Sequence, residues 1–266
     1  MLRRMLLVLV VIPLAASAAN AQVVYLTGTY AQNFDSLATT GNNIPLTNNV
    51  TLPGWHSSRS SYDASDGTGN TGSLYSFGVA GTNPVTDRAL GSIASGNTGT
   101  VLYSLQLFNS SNITFTDITV SFWGEQWRNG GSTTPNINEF AYLVTNDSTG
   151  APLTAAGYTD VNELFFAAPI NGGSPGPLDG NLPVNRIFLS HSFSIGTWAP
   201  GQFLWLRWSD PNEPGNDNGM AIDEVIFTVV PEPTVIASLG ASLLGLWGVR
   251  RWRRQQRELA ALVEQD

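Results

Sequence analysis

The side chains able to do chemistry in this sequence are few. There are two histidines, His56 and His191, no cysteine, and twelve basic residues that are all arginine. Thiolate nucleophiles, disulfides, zinc fingers and iron–sulfur sites are excluded, and two imidazoles are too few for a histidine-based zinc centre. A Ser-His-Asp triad needs a histidine free to act as a base and a carboxylate to orient it. His56 lies in Pro53-Gly54-Trp55-His56-Ser57, and His191 alternates with Ile187, Leu189 and Phe193, the pattern of a half-buried side chain. Neither is read as catalytic.

Carboxylates offer two other chemistries. Glycoside hydrolysis needs a pair at a defined separation. Glu125, Glu139, Glu163 and Glu224 are available, but the tight E-x-D-x-x-E strand motif of sandwich-fold glycosidases does not occur. Glu125, within Trp123-Gly124-Glu125-Gln126-Trp127-Arg128, is the acid of most interest, and a structural pair with Arg128 is its plainer role. Calcium takes six to eight oxygens from irregular loops. One candidate loop runs from Asp63 through Asp66 to Asn70; another runs from Asp210 through Asn216 and Asp217 to Asn218 and leads into Asp223. Turn chemistry explains the same residues, because Asp and Asn hydrogen-bond their own backbone. Structural calcium is nonetheless an expectation. Tryptophan faces stack on sugar rings, and Trp55 and Trp127, beside polar turn residues, are the candidates for exposure. Trp205 and Trp208 lie on opposite faces of one strand, so at least one of them belongs to a core.

These residues sit in a body, residues 22–230, that reads as all-β. Val101, Tyr103, Leu105 and Leu107 alternate with Leu102, Ser104, Gln106 and Phe108, and the same period of two recurs over 187–193 and 203–208. Further strands are expected at Leu74–Phe77, Ile113–Phe122, Phe140–Thr145, Leu164–Ala167 and Ile222–Val229, with a bulge or break near Asp117, where the apolar phase shifts. No helical stripe is sustained. Short strands with turn-rich connectors predict an antiparallel β-sandwich of the jelly-roll kind. The body holds five arginines against sixteen acidic residues, a formal excess of eleven negative charges. Such a surface will not neutralise phosphates, so nucleic acid is excluded as a partner.

Both ends carry targeting signals. Residues 1–21 have the form of a secretory signal peptide: Arg3 and Arg4, an apolar run, then Ala19-Asn20-Ala21. At the other end Pro231-Glu232-Pro233 precedes an uncharged apolar stretch, Thr234 to Val249, and the cluster Arg250, Arg251, Arg253 and Arg254. The stretch predicts a single transmembrane helix with its arginines on the cytoplasmic side and residues 255–266 as a cytoplasmic tail. Triplet, helix and basic cluster over 231–254, with a signal peptide in front, resemble a PEP-CTERM sorting signal. The resemblance implies processing by an exosortase-type membrane enzyme, a transient inner-membrane anchor, and delivery to the surface or extracellular matrix of a Gram-negative bacterium. Such signals usually stop soon after the arginines, whereas this chain continues to Asp266.

The runs Leu74-Tyr75-Ser76-Phe77-Gly78, Asp87-Arg88-Ala89-Leu90-Gly91-Ser92, Gly124-Glu125-Gln126-Trp127-Arg128, Leu204-Trp205-Leu206-Arg207-Trp208 and Gly219-Met220-Ala221-Ile222-Asp223-Glu224-Val225 resemble lectin-like, concanavalin-type sandwich modules of secreted bacterial proteins. The resemblance implies a fold more firmly than a function. The sequence therefore leads to an exported, non-enzymatic surface or matrix protein that binds polysaccharide and holds structural calcium. A hydrolase acting on matrix polymers and a ligand-free structural component are the alternatives.

Overall fold

The computed structural model describes residues 23–25, 28–79 and 87–230. The signal peptide, the Pro231-Glu232-Pro233 motif, the apolar stretch, the arginine cluster and the tail lie outside the described residues. Among those described, no helix is long and apolar enough to cross a membrane.

Runs of β-branched and aromatic residues, cut short by Gly, Asn, Asp and Pro, favour pleated strands over helix. In chain order the strands are β1 (Val23–Tyr25), β2 (Thr29–Gln32), β3 (Ile44–Pro45), β4 (Trp55–Ser57), β5 (Ser61–Ser65), β6 (Ser73–Phe77), β7 (Ala89–Ile93) and β8 (Val101–Asn109). They continue with β9 (Phe115–Asn129), β10 (Ile137–Thr145), β11 (Thr159–Asp160), β12 (Phe166–Ala167), β13 (Gly176–Pro177), β14 (Arg186–Trp198), β15 (Phe203–Asp210) and β16 (Gly219–Val229). Two short 3₁₀ turns, Ala151–Thr154 and Asn162–Leu164, are the helical elements among the described residues.

These strands form two sheets. One has seven strands in the order β1-β8-β15-β10-β11, with β4 added to β8 and β12 to β10. The other has nine, β13-β9-β16-β7-β6-β5-β3, with β14 added to β9 and β2 to β16. Pairing is antiparallel except at β1 with β8 and β5 with β6, which run parallel. The sheets are therefore mixed rather than purely antiparallel.

Alternation decides what each sheet buries. Leu204, Leu206 and Trp208 of β15 meet Ile118, Val120 and Phe122 of β9 in one core between the sheets. Phe203 and Trp205, on the opposite face of β15, pack under Leu153 outside the seven-stranded sheet. Both Trp205 and Trp208 are thus buried. The irregularity expected near Asp117 is present, but the partner strand carries it: Asp117 pairs with Ser194 and Phe115 with Trp198, so the extra residues bulge out of β14. A second bulge lies in β16, where the register on β9 shifts between Asp223 and Ile226. Glu224 takes φ 47° there, which places Ile222 and Val225, three residues apart, on the same inner face.

Candidate functional site

The outer face of the nine-stranded sheet gathers most of the polar and aromatic residues with unusual surroundings. Trp123, Glu125 and Trp127 of β9 point outward beside Arg186 and Phe188 of β14 and Asp223 of β16, as the strand register requires. At its centre Trp127, Phe77, Tyr75 and Ile93 form a small second core. The loop after β13 closes over Trp127, and a Cβ at Gly180 would lie only 2.3 Å from its ring.

Trp127 is 1% exposed and Trp55 is 3% exposed, so the faces expected to meet sugar are both covered. Trp127 stacks parallel to Phe77 at 6.1 Å and donates its indole N–H to Glu125 Oε2 at 3.0 Å. Trp55 stacks on Trp208 at 5.5 Å and donates to the Tyr30 hydroxyl at 2.8 Å. Residues distant in the chain cover both rings: Tyr30, Phe34 and Trp208 around Trp55, and Phe77 and Gly180 around Trp127. The outward aromatic platform is instead Trp123, half-buried, with Phe188 at 5.2 Å and the Arg186 guanidinium 4.3 Å over its ring.

Glu125 lies beneath this surface. Its nearest cation is Arg186 at 3.9 Å, not Arg128, whose guanidinium donates to the Gly67 carbonyl at 3.0 Å. Burial pushes the Glu125 carboxyl well above the carboxylate range, and burial together with the charge of Glu125 does the same to Asp223. A buried acid already bonded to an indole and facing a guanidinium is not presented to a polymer. The histidines stand on different sheets, His56 on β4 and His191 on β14. His56 is buried against the Trp205 ring, and burial lowers its basicity. His191 stacks on Phe193 and lies 3.9 Å from Glu163. Gly172-Gly173-Ser174-Pro175-Gly176 has the spacing of a serine nucleophile elbow, but it runs into strand β13 and no helix follows.

The expected calcium ligands are divided among three places. Asp63 lies in β5 and Asp66 just after it, Asp223 lies beside Glu125, and Asp210 and Asp217 lie at one end of the sandwich with Asn216 exposed nearby. At that end the loop after β15 is held by amides: Asn136 donates to Glu213 Oε2 at 2.8 Å and to Asp217 Oδ1 at 2.9 Å. Asp210 is fully buried and accepts from Ser92 Oγ at 2.6 Å through Oδ2. Its Oδ1 and the Oδ1 of Asn138 lack a well-aligned hydrogen-bond partner, although the Ala94 backbone N–H faces the Asp210 carboxyl. No group of three or more acidic or histidine side chains placed for a metal occurs among the described residues. Burial, with Glu213 and Asp217 adding charge, raises the Asp210 carboxyl to about 8.

A groove of about 780 Å³ opens beside β5 and β6, walled by the 39–43 and 66–72 loops. Its lining is hydroxyls and amides, including Thr39, Asn42, Ser61 and Thr71, with Asp63, Asp66, Arg59 and Arg88. The acids are already engaged. Asp63 Oδ1 accepts from the Asn43 backbone at 2.6 Å, and Asp66 Oδ1 accepts from the Thr68 hydroxyl at 2.5 Å, which holds its carboxyl below the usual range. Gly67, at φ 84°, packs against the Trp127 carbonyl, so the wall of the groove and the second core share one tight turn. Such a concave, polar surface suits a ligand rich in hydroxyls. Trp123, Phe188, Arg59 and Arg88 were not among the expected site residues, because loop closure over one outward tryptophan and not its neighbour leaves no trace in strand periodicity.

No family model matches the sequence, and no curated protein matches it. Solved structures do show similarity. The K1 cleaved adhesin domain of Lys-gingipain from Porphyromonas gingivalis W83 has a TM-score of 0.37 and 14% identity, covering 77% of this chain and 99% of that one. The CBM22-1–GH10 modules of Clostridium thermocellum xylanase 10B, complexed with xylohexaose, give 0.30 and 11%, covering 78% and 28%. TmCBM61 in complex with β-1,4-galactotriose gives 0.30 and 10%, covering 67% and 88%. At these TM-scores the likenesses carry no argument about function.

Proposed function

We propose that this chain is an exported surface or matrix protein that binds polysaccharide without hydrolysing it. The groove beside β5 and β6 carries this reading: its hydroxyl and amide lining is what sugar hydroxyls require, and no acid in it is poised for glycosidic cleavage. The jelly-roll layout inferred from the strand pattern would present that groove on a rigid sheet edge. Delivery rests on the terminal signals. The Pro231-Glu232-Pro233 motif, the apolar stretch and the arginine cluster would be handed to an exosortase-type enzyme at the inner membrane, releasing the sandwich to the surface of a Gram-negative cell. The reading stands with or without structural calcium.

The test is affinity electrophoresis of the full chain, in a non-ionic detergent, through gels containing neutral or acidic polysaccharides. Retardation by at least one polymer, with no shortening of the polymer on prolonged incubation, is expected. Free migration through every gel would leave a ligand-free matrix component, and depolymerisation would revive the hydrolase.

A further inference from the structure

The described part of the body has an excess of acid, yet one of its arginines is buried without a carboxylate. Arg88 is 3% exposed and lines the groove. Its Nε donates to Ser76 Oγ at 2.8 Å, and its Nη2 donates to the Ser76 carbonyl and, at 3.4 Å, to the Ser65 carbonyl. Among the described residues the contacts between basic and acidic side chains are Arg186 with Glu125 and His191 with Glu163, so no described carboxylate comes within 4.0 Å of the Arg88 guanidinium. The acids whose charges reach it are bonded elsewhere: Asp87 accepts from the Asn181 amide at 2.7 Å, Asp66 is held by Thr68, and Asp35 accepts the Arg88 backbone N–H at 3.1 Å. Gly78 keeps the approach open, because a Cβ there would lie 2.2 Å from Nη1. A second arginine, Arg59, lines the same groove and has no ion pair among the described residues.

Asp87 and Asp66 act on Arg88 only at a distance, and the groups bonded to it are neutral carbonyls and a hydroxyl, whereas the matching partner of a guanidinium is a planar anion taken by two N–H groups. The balance of charge in the groove is also unlike that of the body: two arginines face two aspartates, within a body that has eleven more acids than arginines. We infer that the groove binds an acidic sugar unit of a polysaccharide, its anionic substituent at Arg88, Arg59 at the entrance, and its hydroxyls on the Ser, Thr and Asn lining. This rests on the polysaccharide reading above and narrows it to an anionic glycan. Carboxylate and sulfate share the chemistry, so both are probed.

The experiment measures retention of the full chain, in non-ionic detergent and EDTA, on alginate, dextran sulfate and unmodified dextran at two salt concentrations. EDTA removes calcium that could bridge acidic polymer to acidic protein. Expected is retention by alginate, dextran sulfate or both, weakened by salt and reduced at least tenfold by Arg88→Gln, with none on dextran. Alginate alone assigns a carboxylate, and dextran sulfate alone assigns a sulfate ester. Because Arg88→Gln removes buried hydrogen bonds, Arg59→Gln provides a variant that leaves the sheet untouched, with a severalfold loss expected. Equal retention on dextran, or unchanged affinity and salt dependence in Arg59→Gln and in a folded Arg88→Gln, would overturn the anionic assignment and keep the polysaccharide reading. No retention on any polymer would overturn both.

Discussion

Replacing Asp210 with Asn separates a proton-holding acid from a metal ligand. Asp210 is fully buried, one oxygen bonded to Ser92 and the carboxyl faced by the Ala94 backbone N–H, and burial raises it to about 8. The unfolded chain releases this proton near pH 4, whereas the folded protein retains it until about pH 8. Between those limits the native state binds more protons than the unfolded state, so rising pH costs the wild type stability. The loss is about 1.4 kcal/mol per pH unit, or about 5 kcal/mol from pH 4 to 8, and it levels off above that range. Asn cannot titrate. The stability difference between Asp210→Asn and wild type should therefore shift toward the variant by about 1.4 kcal/mol per pH unit over pH 5–8. Glu125 and Asp223 are also raised, but they lie on the outer face of the other sheet and cancel in the difference. The assay is urea unfolding of both proteins in EDTA at each pH, repeated with excess calcium. Parallel curves in EDTA would refute the reasoning, because they would mean that Asp210 ionises in the fold as freely as in the unfolded chain. A slope that calcium abolishes in the wild type alone would give Asp210 to the metal after all.

The two outward tryptophans of β9 should part company. Trp127→Ala, which empties the second core, should cost about 3–5 kcal/mol in denaturant unfolding, while Trp123→Ala should cost under about 1.5 kcal/mol. Gly180→Ala drives a methyl into the Trp127 ring and should lower stability by about 1–3 kcal/mol, most of which Trp127→Ala should remove in the double variant. Intact mass of the surface-released form should place its C-terminus near Pro231–Pro233, and a form ending at Asp266 would contradict the sorting proposal.

The long alternating strands could be read from the sequence because each side chain is committed to one face. Val101–Leu107 and Phe203–Trp208 become β8 and β15, paired to each other across the middle of the seven-stranded sheet. Strands built of small and polar residues could not be read this way. Ser61–Ser65 and Ala89–Ile93 contain Ser, Gly and Ala where the sheet packs closely, and a Cβ at Gly91 would lie 2.2 Å from the Met220 carbonyl. Leu164–Ala167 looked like a strand but divides into a 3₁₀ turn and the two-residue β12, since Leu164 and Phe166 are anchored by two different packing clusters. The site was less legible than the fold. Asp63, in β5, and Asp66, just after it, line the groove. The burial of Trp55 and Trp127 depends on residues that return from far along the chain, and Arg88 is singled out only by the absence of a carboxylate in contact with its guanidinium. Neither depends on local spacing.

Burying five of the body's six tryptophans while leaving Trp123 half open has an optical consequence. Trp55, Trp127, Trp198, Trp205 and Trp208 sit in dry surroundings, so their emission should lie to the blue and resist aqueous quenchers. With Trp247 and Trp252 of the tail replaced by Phe, the component accessible to acrylamide should come from one indole beside Arg186 and Phe188. Without an attached dye, the protein then reports through that single residue whether anything covers this end of the sheet's outer face.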